Sequence, residues 1–175
     1  MKQGLLHLYC GDGKGKTTAA VGLAVRAAGA GLHVLFVQFL KGRDSGEVGM
    51  LRQLPGIEVL RCDRDYGFTF SMTPEDRAAI TRCHDGMLRL VHERMASGET
   101  ELVVLDEFCA AYRAMLFDIP LAEDLVLHRP AGVEMVLTGR DPAEKFRRAA
   151  DYLSEIRALA HPYERGIPAR RGIEY

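Results

Sequence analysis

The sequence predicts an α/β fold: a parallel sheet with helices on both faces. Short β-rich apolar runs alternate along the chain with longer segments of helical spacing, which is the pattern of successive βαβ units. Residues of unusual chemistry fall directly after the apolar runs, where sheets of this kind bind ligands. At 175 residues the chain suits one domain with a substantial core and is short for two, so residues 1–175 are read as one domain.

The first run, LLHLYC (5–10), reads as a strand, and TTAAVGLAVRAAGA (17–30) as a helix stopped by Gly31. HVLFVQFL (33–40) is almost continuously apolar, as a strand covered on both faces must be. IEVL (57–60) is a weaker strand, and ELVVLD (101–106) and VEMVLT (133–138) are two more.

Between them, TPEDRAAITRCHDGMLRLVHERMASG (73–98) carries the signals of a long helix. Thr73 can cap it, Pro74 takes the first helical position and Asp76 completes a capping-box spacing. Ile80, Cys83, His84, Met87, Val91 and Met95 follow at helical spacing, and Gly98 ends the pattern. His84 has no metal-binding neighbour three or four residues on and reads as a core-edge histidine. The residues expected at the carboxyl ends of the strands are 11–17, 41–47, Asp106 with Glu107, and Gly139 with Arg140.

Composition excludes several classes of function. Lysine and arginine number 23 against 24 aspartate and glutamate, so no overall field draws the chain to nucleic acid or anionic lipid. The basic cluster near the end, Arg165, Arg170 and Arg171, reads as a solvated tail. The N-terminal apolar run is too short for a signal peptide, and no stretch approaches the ~18–20 apolar residues of a membrane span. Cys10, Cys62, Cys83 and Cys109 show no C-x-x-C spacing, so they are expected to be reduced thiols in a cytoplasmic protein, with neither a zinc site nor a disulfide framework.

The segment CGDGKGKTT (10–18) lies between a strand and a helix, where a phosphate-binding P-loop, G-x-x-x-x-G-K-[ST], belongs. Gly15, Lys16 and Thr17 supply its second half, but the pattern's first glycine would fall at Cys10. Gly11, Gly13 and Gly15 still let backbone N–H groups turn around an anion, together with Asp12, Lys14 and Thr18 and the positive end of the following helix. Lys16 adds a charge for phosphate oxygens and Thr17 a hydroxyl for Mg²⁺. LVVLDE (102–107) supplies the complementary Walker B element, an apolar strand ending in carboxylates that hold Mg²⁺ directly or through water. Thr17, Asp106 and Glu107 are therefore expected around one metal, with Asp106 and Glu107 both open as the closer ligand. The fold class becomes a P-loop NTPase-like, RecA-like sheet that binds a nucleoside triphosphate.

Six motifs stand in order: GDGKGKTTAA, VQFLKG, GFTF, VVLDE, LTGR and the end SEIRALAHPYERGIPARRGIEY. Together they resemble the P-loop ATP:corrinoid adenosyltransferases, which attach the adenosyl group in coenzyme B12 biosynthesis and corrinoid salvage. The displaced glycine is part of the resemblance, which runs from about residue 5 to Tyr175. Two departures stand out: no extension precedes the first strand, where longer members carry a segment that helps cover the corrinoid, and FTF replaces FTW.

The resemblance implies ATP and a reduced corrinoid as substrates, with Mg²⁺ or Mn²⁺ as the metal. Co(I) is itself the nucleophile and attacks the 5′ carbon of ATP, so no catalytic base is required, and triphosphate leaves as a unit. ATP lies reversed in the loop, its terminal phosphate where other P-loop proteins hold an inner one. Lys16, Thr17 and Glu107 are then the catalytic set, with Lys41 and Arg140 among the residues that bind the nucleotide. Phe68 and Phe70 would lie against the corrin as an apolar wedge that drives off the lower axial ligand and eases reduction of cobalt. Spacing alone favours instead that they pack their loop onto the core; the resemblance reverses that reading. A flavin-type reductase and a homodimer are further expectations from the resemblance. The loop and carboxylates also suit a small phosphotransferase, for which no lid-like arginine cluster is identified, or an ATP-dependent binding module without catalysis.

Overall fold

The computed structural model describes residues 3–42 and 45–174. Met1, Lys2 and Tyr175 at the ends of the expected domain, and Arg43 and Asp44 within the 41–47 segment, lie outside the described residues. Among the described residues six strands form one sheet: β1 (Leu6–Cys10), β2 (Val34–Gln38), β3 (Ile57–Arg61), β4 (Leu102–Asp106), β5 (Glu134–Thr138) and β6 (Tyr152–Glu155). Their order is β3-β2-β4-β5-β1-β6, and every pairing is parallel.

The two faces are covered by different helices, as the apolar runs require. Along β2, Val34 and Phe36 face one apolar cluster, while Leu35 and Val37 face the other. The first cluster is closed by α1 (Lys16–Gly29) and α2 (Gly46–Leu51), through Ala20, Ala24, Ala27 and Leu51. Alanines on that stripe let α1 lie close to the sheet, with its N-terminus at the end of β1. The second is closed by α3 (Pro74–Ala96), α4 (Phe108–Arg113), α5 (Ile119–Leu127) and α6 (Glu144–Ala149), through Ile80, Phe108, Leu125 and Phe146.

The start of α3 follows its sequence signals. Thr73 Oγ1 accepts the Asp76 N–H at 3.1 Å, and Pro74 occupies the first turn. His84 goes deeper than the expected core edge and is fully buried, with Nδ1 2.8 Å from the Leu116 carbonyl and Nε2 3.4 Å from the Leu40 N–H. The Nδ1–H therefore donates and Nε2 accepts, so the ring is neutral, and burial pushes its pKa down to about 4.

Two features depart from the sequence reading. β6 has no apolar signature because it forms the sheet's edge beside β1 and all four of its residues are exposed. The cysteines are not all reduced thiols: Cys62 and Cys83 form a disulfide, while Cys10 and Cys109 are free and buried. The 21-residue separation hides the pairing, which arises because the end of β3 and the third turn of α3 come together with Cα atoms 6.2 Å apart. No helix among the described residues is long and apolar enough to cross a membrane.

Candidate nucleotide site

The altered glycine pattern has a local cause. Cys10 is still a strand residue, only 1% exposed, so the turn out of β1 begins at Gly11. Gly11 has φ 102°, and a Cβ there would stand 2.3 Å from the Ile156 carbonyl oxygen. Chain leaving β6 thus runs against the loop and is tied to it: the Gly13 N–H donates to Ile156 O at 2.8 Å, and the Ala158 N–H to Asp12 Oδ1 at 3.1 Å. Lys16 opens α1 and donates to the Gly13 carbonyl at 2.7 Å, folding its ammonium over the loop. Burial lowers its pKa, and the nearby Glu107 carboxylate opposes that shift.

Asp106 ends β4 with no exposed surface and accepts from four side chains. Thr17 and Thr138 hydroxyls donate to Oδ1, each at 2.8 Å; Lys41 Nζ lies 3.0 Å and Gln38 Nε2 3.2 Å from Oδ2. Thr138 lies on β5, the strand between the carboxylate strand β4 and the loop strand β1, and joins the two sides of the site. Lys41 Nζ is also 3.3 Å from Thr17 Oγ1.

Glu107 differs from its neighbour. Its N–H donates to Thr138 Oγ1 at 2.9 Å, and its carboxylate lines a cavity. Burial raises its pKa, the adjacent Asp106 charge adds to that, and Lys41, Lys16 and Arg140 pull it back. Its φ of 60° places it in the left-handed region, as do Leu40 (62°), beside Lys41, and Asp141 (47°), beside Arg140. Non-glycine residues held there cost of order 1–3 kcal/mol each, and here they re-aim the chain at the ends of β2, β4 and β5.

These elements enclose a cavity of about 660 Å³ at the carboxyl ends of the strands. Of the residues singled out in the sequence, Asp12 through Thr18, Lys41, Glu107 and Arg140 line it; Gly11 and Asp106 do not. Arg140 Nη2 reaches the Asp12 carbonyl at 3.5 Å. Glu47, within the expected 41–47 segment, also lines the cavity, whereas Gln38, Thr138, Arg113 and His161 are not singled out as site residues by the sequence, nor are the tail residues 172–174. Gln38 and Thr138 look like ordinary strand residues, and only the spatial meeting of β2, β4 and β5 reveals their role. Arg165, Arg170 and Arg171 are exposed as expected, yet the tail they flank returns to the site, where Glu174 pairs with Lys14 at 3.7 Å.

A hydroxyl and two carboxylates form a hard oxygen set. No group of three or more His, Cys, Asp or Glu among the described residues could hold a metal ion. Mg²⁺ does not need one, because it keeps waters and takes further ligands from phosphate. Gln38 adds a buried oxygen, Oε1, with no hydrogen-bond partner. The residues present therefore fit Mg²⁺.

Phe68 and Phe70 stand outside this cavity, on the loop that follows β3. Their rings stack, with centroids 5.4 Å apart and planes within 7°, and they are 66% and 86% exposed. They are not packed onto the core. Gly42 brings this loop next to Lys41: a Cβ at Gly42 would lie 2.3 Å from Asp65 Cα.

Comparison with known proteins agrees with this geometry. The family model described as "ATP:corrinoid adenosyltransferase BtuR/CobO/CobP" matches residues 2–175. A corrinoid adenosyltransferase of Pseudomonas aeruginosa is 32% identical over 99% of this chain and 85% of its own length. Corrinoid adenosyltransferase CobA of Salmonella typhimurium is 33% identical over 99% of this chain and 87% of its own. Among solved structures, flagellar accessory protein FlaH from Methanocaldococcus jannaschii superposes with a TM-score of 0.55 at 13% identity, covering 89% of this chain and 72% of that one; the likeness is one of fold. A match along nearly the whole length, with the displaced glycine explained by the chain that crosses it, places this protein in the ATP:corrinoid adenosyltransferase family.

Proposed function

We propose that the protein transfers the 5′-deoxyadenosyl group of ATP to the Co(I) centre of a corrinoid, releasing triphosphate. Co(I) supplies the electron pair for the new cobalt–carbon bond and becomes formally Co(III). The carbon–oxygen bond at C5′ breaks, and its electrons leave with triphosphate. Loop amides within 11–18, apart from that of Gly13, together with Lys16, Lys41 and Arg140 hold the polyanion, the charge of which grows as that bond breaks. ATP lies reversed, its terminal phosphate in the loop, so that C5′ points out towards the corrinoid.

Thr17 and Glu107 would hold Mg²⁺ or Mn²⁺, with Asp106 behind Thr17 orienting its hydroxyl. When bound, the metal neutralises phosphate charge. Phe68 and Phe70 form the apolar surface under the corrin ring. The single observation that carries the reading is the cavity in which Lys16, Lys41, Arg140 and Glu107 converge beside the loop amides. A flavin-type reductase as electron donor, a homodimer as the working unit and a cytoplasmic setting belong to the same reading and rest on family resemblance.

The test is product analysis. Purified protein with ATP, Mg²⁺ and chemically reduced cobalamin should yield adenosylated corrinoid and triphosphate in equal amounts. Lys16→Ala should slow this by roughly tenfold or more, through loss of one charge-assisted phosphate contact. ADP with a phosphorylated acceptor, or no nucleotide turnover at all, would refute the proposal.

A further inference from the structure

We propose that Lys41 is an exchangeable internal cation: it neutralises the Asp106 site while the site is empty and gives way to the metal when metal–ATP enters. This rests on the reading of Thr17 and Glu107 as metal-holding residues.

A fully buried carboxylate needs compensating charge as well as hydrogen bonds. Asp106 takes three neutral donors, from Thr17, Thr138 and Gln38, and one cationic donor, Lys41, 3.0 Å from Oδ2. The same ammonium lies 3.3 Å from Thr17 Oγ1. Lys41 therefore contacts the hydroxyl that a Mg²⁺ ion would take at about 2.1 Å, so ion and ammonium would stand within a few ångströms of each other. Two cations that close repel strongly in a partly buried site.

Lys41 can leave more readily than the other partners. Its side chain is 33% exposed and lines the nucleotide cavity, whereas Gln38 and Thr138 are buried strand residues. The cavity also offers a destination, because the phosphates arrive with the metal beside the Lys41 stem. Charge at Asp106 is balanced in both states: by Lys41 when empty, by the metal through Thr17 when loaded. Asp106 thus acts as a positioning residue, and Lys41 passes from structural counter-ion to phosphate ligand.

The experiment uses the full chain, with melting temperature and calorimetric binding as readouts. Mg²⁺ alone, at constant ionic strength, should leave the wild-type melting temperature unchanged. Lys41→Met should melt lower without metal and be restored by Mg²⁺ alone, binding it at least about tenfold more tightly than wild type. Lys41→Gln keeps an amide donor for Asp106 and guards against a variant that fails to fold; it should show the same response at smaller amplitude. An equal effect of Mg²⁺ on wild type and both variants would overturn the proposal, as would no effect on either variant. ATP binding by wild type with Mg²⁺ and with a chelator separates the causes of failure. If Mg²⁺ strengthens ATP binding but the variants ignore Mg²⁺ alone, only the exchange is wrong. If ATP binding is indifferent to Mg²⁺, the metal assignment and the exchange fall together.

Discussion

The Gly13 N–H donates to the Ile156 carbonyl at 2.8 Å, fastening the phosphate loop to the chain that leaves β6. Gly11 meets the same carbonyl so closely that a methyl group there would stand 2.3 Å from its oxygen. The loop's shape is therefore set partly by a segment more than a hundred residues downstream. Its glycines allow this approach as well as the turning of amides towards an anion.

Gly11→Ala should destabilise the protein by about 2–4 kcal/mol, from the positive φ and the clash combined. In melting temperature that is a fall of roughly 5–15 °C for a chain of this size. Gly22→Ala is the control: the position is exposed within α1 and a Cβ there meets nothing, so stability should rise by about 0.5–1 kcal/mol. Similar melting of Gly11→Ala and wild type would refute the contact.

Glu107 carries a prediction about the metal. Its carboxylate faces the cavity, whereas Asp106 already accepts four donors. Glu107→Gln should raise the Mg²⁺ concentration for half-maximal rate several-fold and leave the far-ultraviolet spectrum unchanged. An unaltered metal requirement would remove Glu107 from the metal site.

Exposure of Phe68 and Phe70 makes their roles separable from stability. Phe68→Ala and Phe70→Ala should change the melting temperature by less than about 2 °C, since little burial is lost. Both should impair adenosylation that starts from Co(II) with a flavin-type reductant, and lose much less when Co(I) is supplied directly. Phe70→Trp should preserve activity. Equal losses in the two assays would mean that the rings do not serve the reduction step.

His84 predicts an acid limit to stability. It is fully buried and neutral, with its folded-state pKa pushed down to about 4. Below about pH 6.5 the unfolded chain binds a proton that the folded chain refuses, so stability is lost as pH falls from about 6.5 to about 4. The loss is on the order of 3 kcal/mol over that window. Urea unfolding across pH should show it, and His84→Gln should flatten this part of the profile. A profile identical to wild type would deny the histidine this role.

The Cys62–Cys83 bridge closes a loop across 21 residues that includes Phe68 and Phe70. Reduction, or Cys83→Ser, should cost about 3 kcal/mol through the entropy regained by the unfolded chain, or roughly 6–12 °C in melting temperature. Thermal melts with and without a dithiol reductant check this, and insensitivity to the reductant would show that the bridge does not contribute.

Local chemistry was enough to determine much of this protein. The apolar runs mark five of the six strands found among the described residues, most plainly β2, β4 and β5, because a strand buried on both faces must be apolar along nearly its whole length. Thr73 and Pro74 mark the start of α3, and GKGKTT and LVVLDE mark the candidate site, because capping and the proposed phosphate and metal contacts each need fixed residue types within a few positions. The tertiary structure decided the rest. β6 is an exposed edge with no pattern to read, and Cys62 and Cys83 meet only when β3 and α3 pack. Gln38 and Thr138 become partners of Asp106 only because β2 and β5 flank β4. The glycine at 11 rather than 10 answers to Ile156 across the sheet edge. Periodicity and short motifs record what neighbours in the chain require of each other, whereas contacts between distant segments depend on packing that no short stretch encodes.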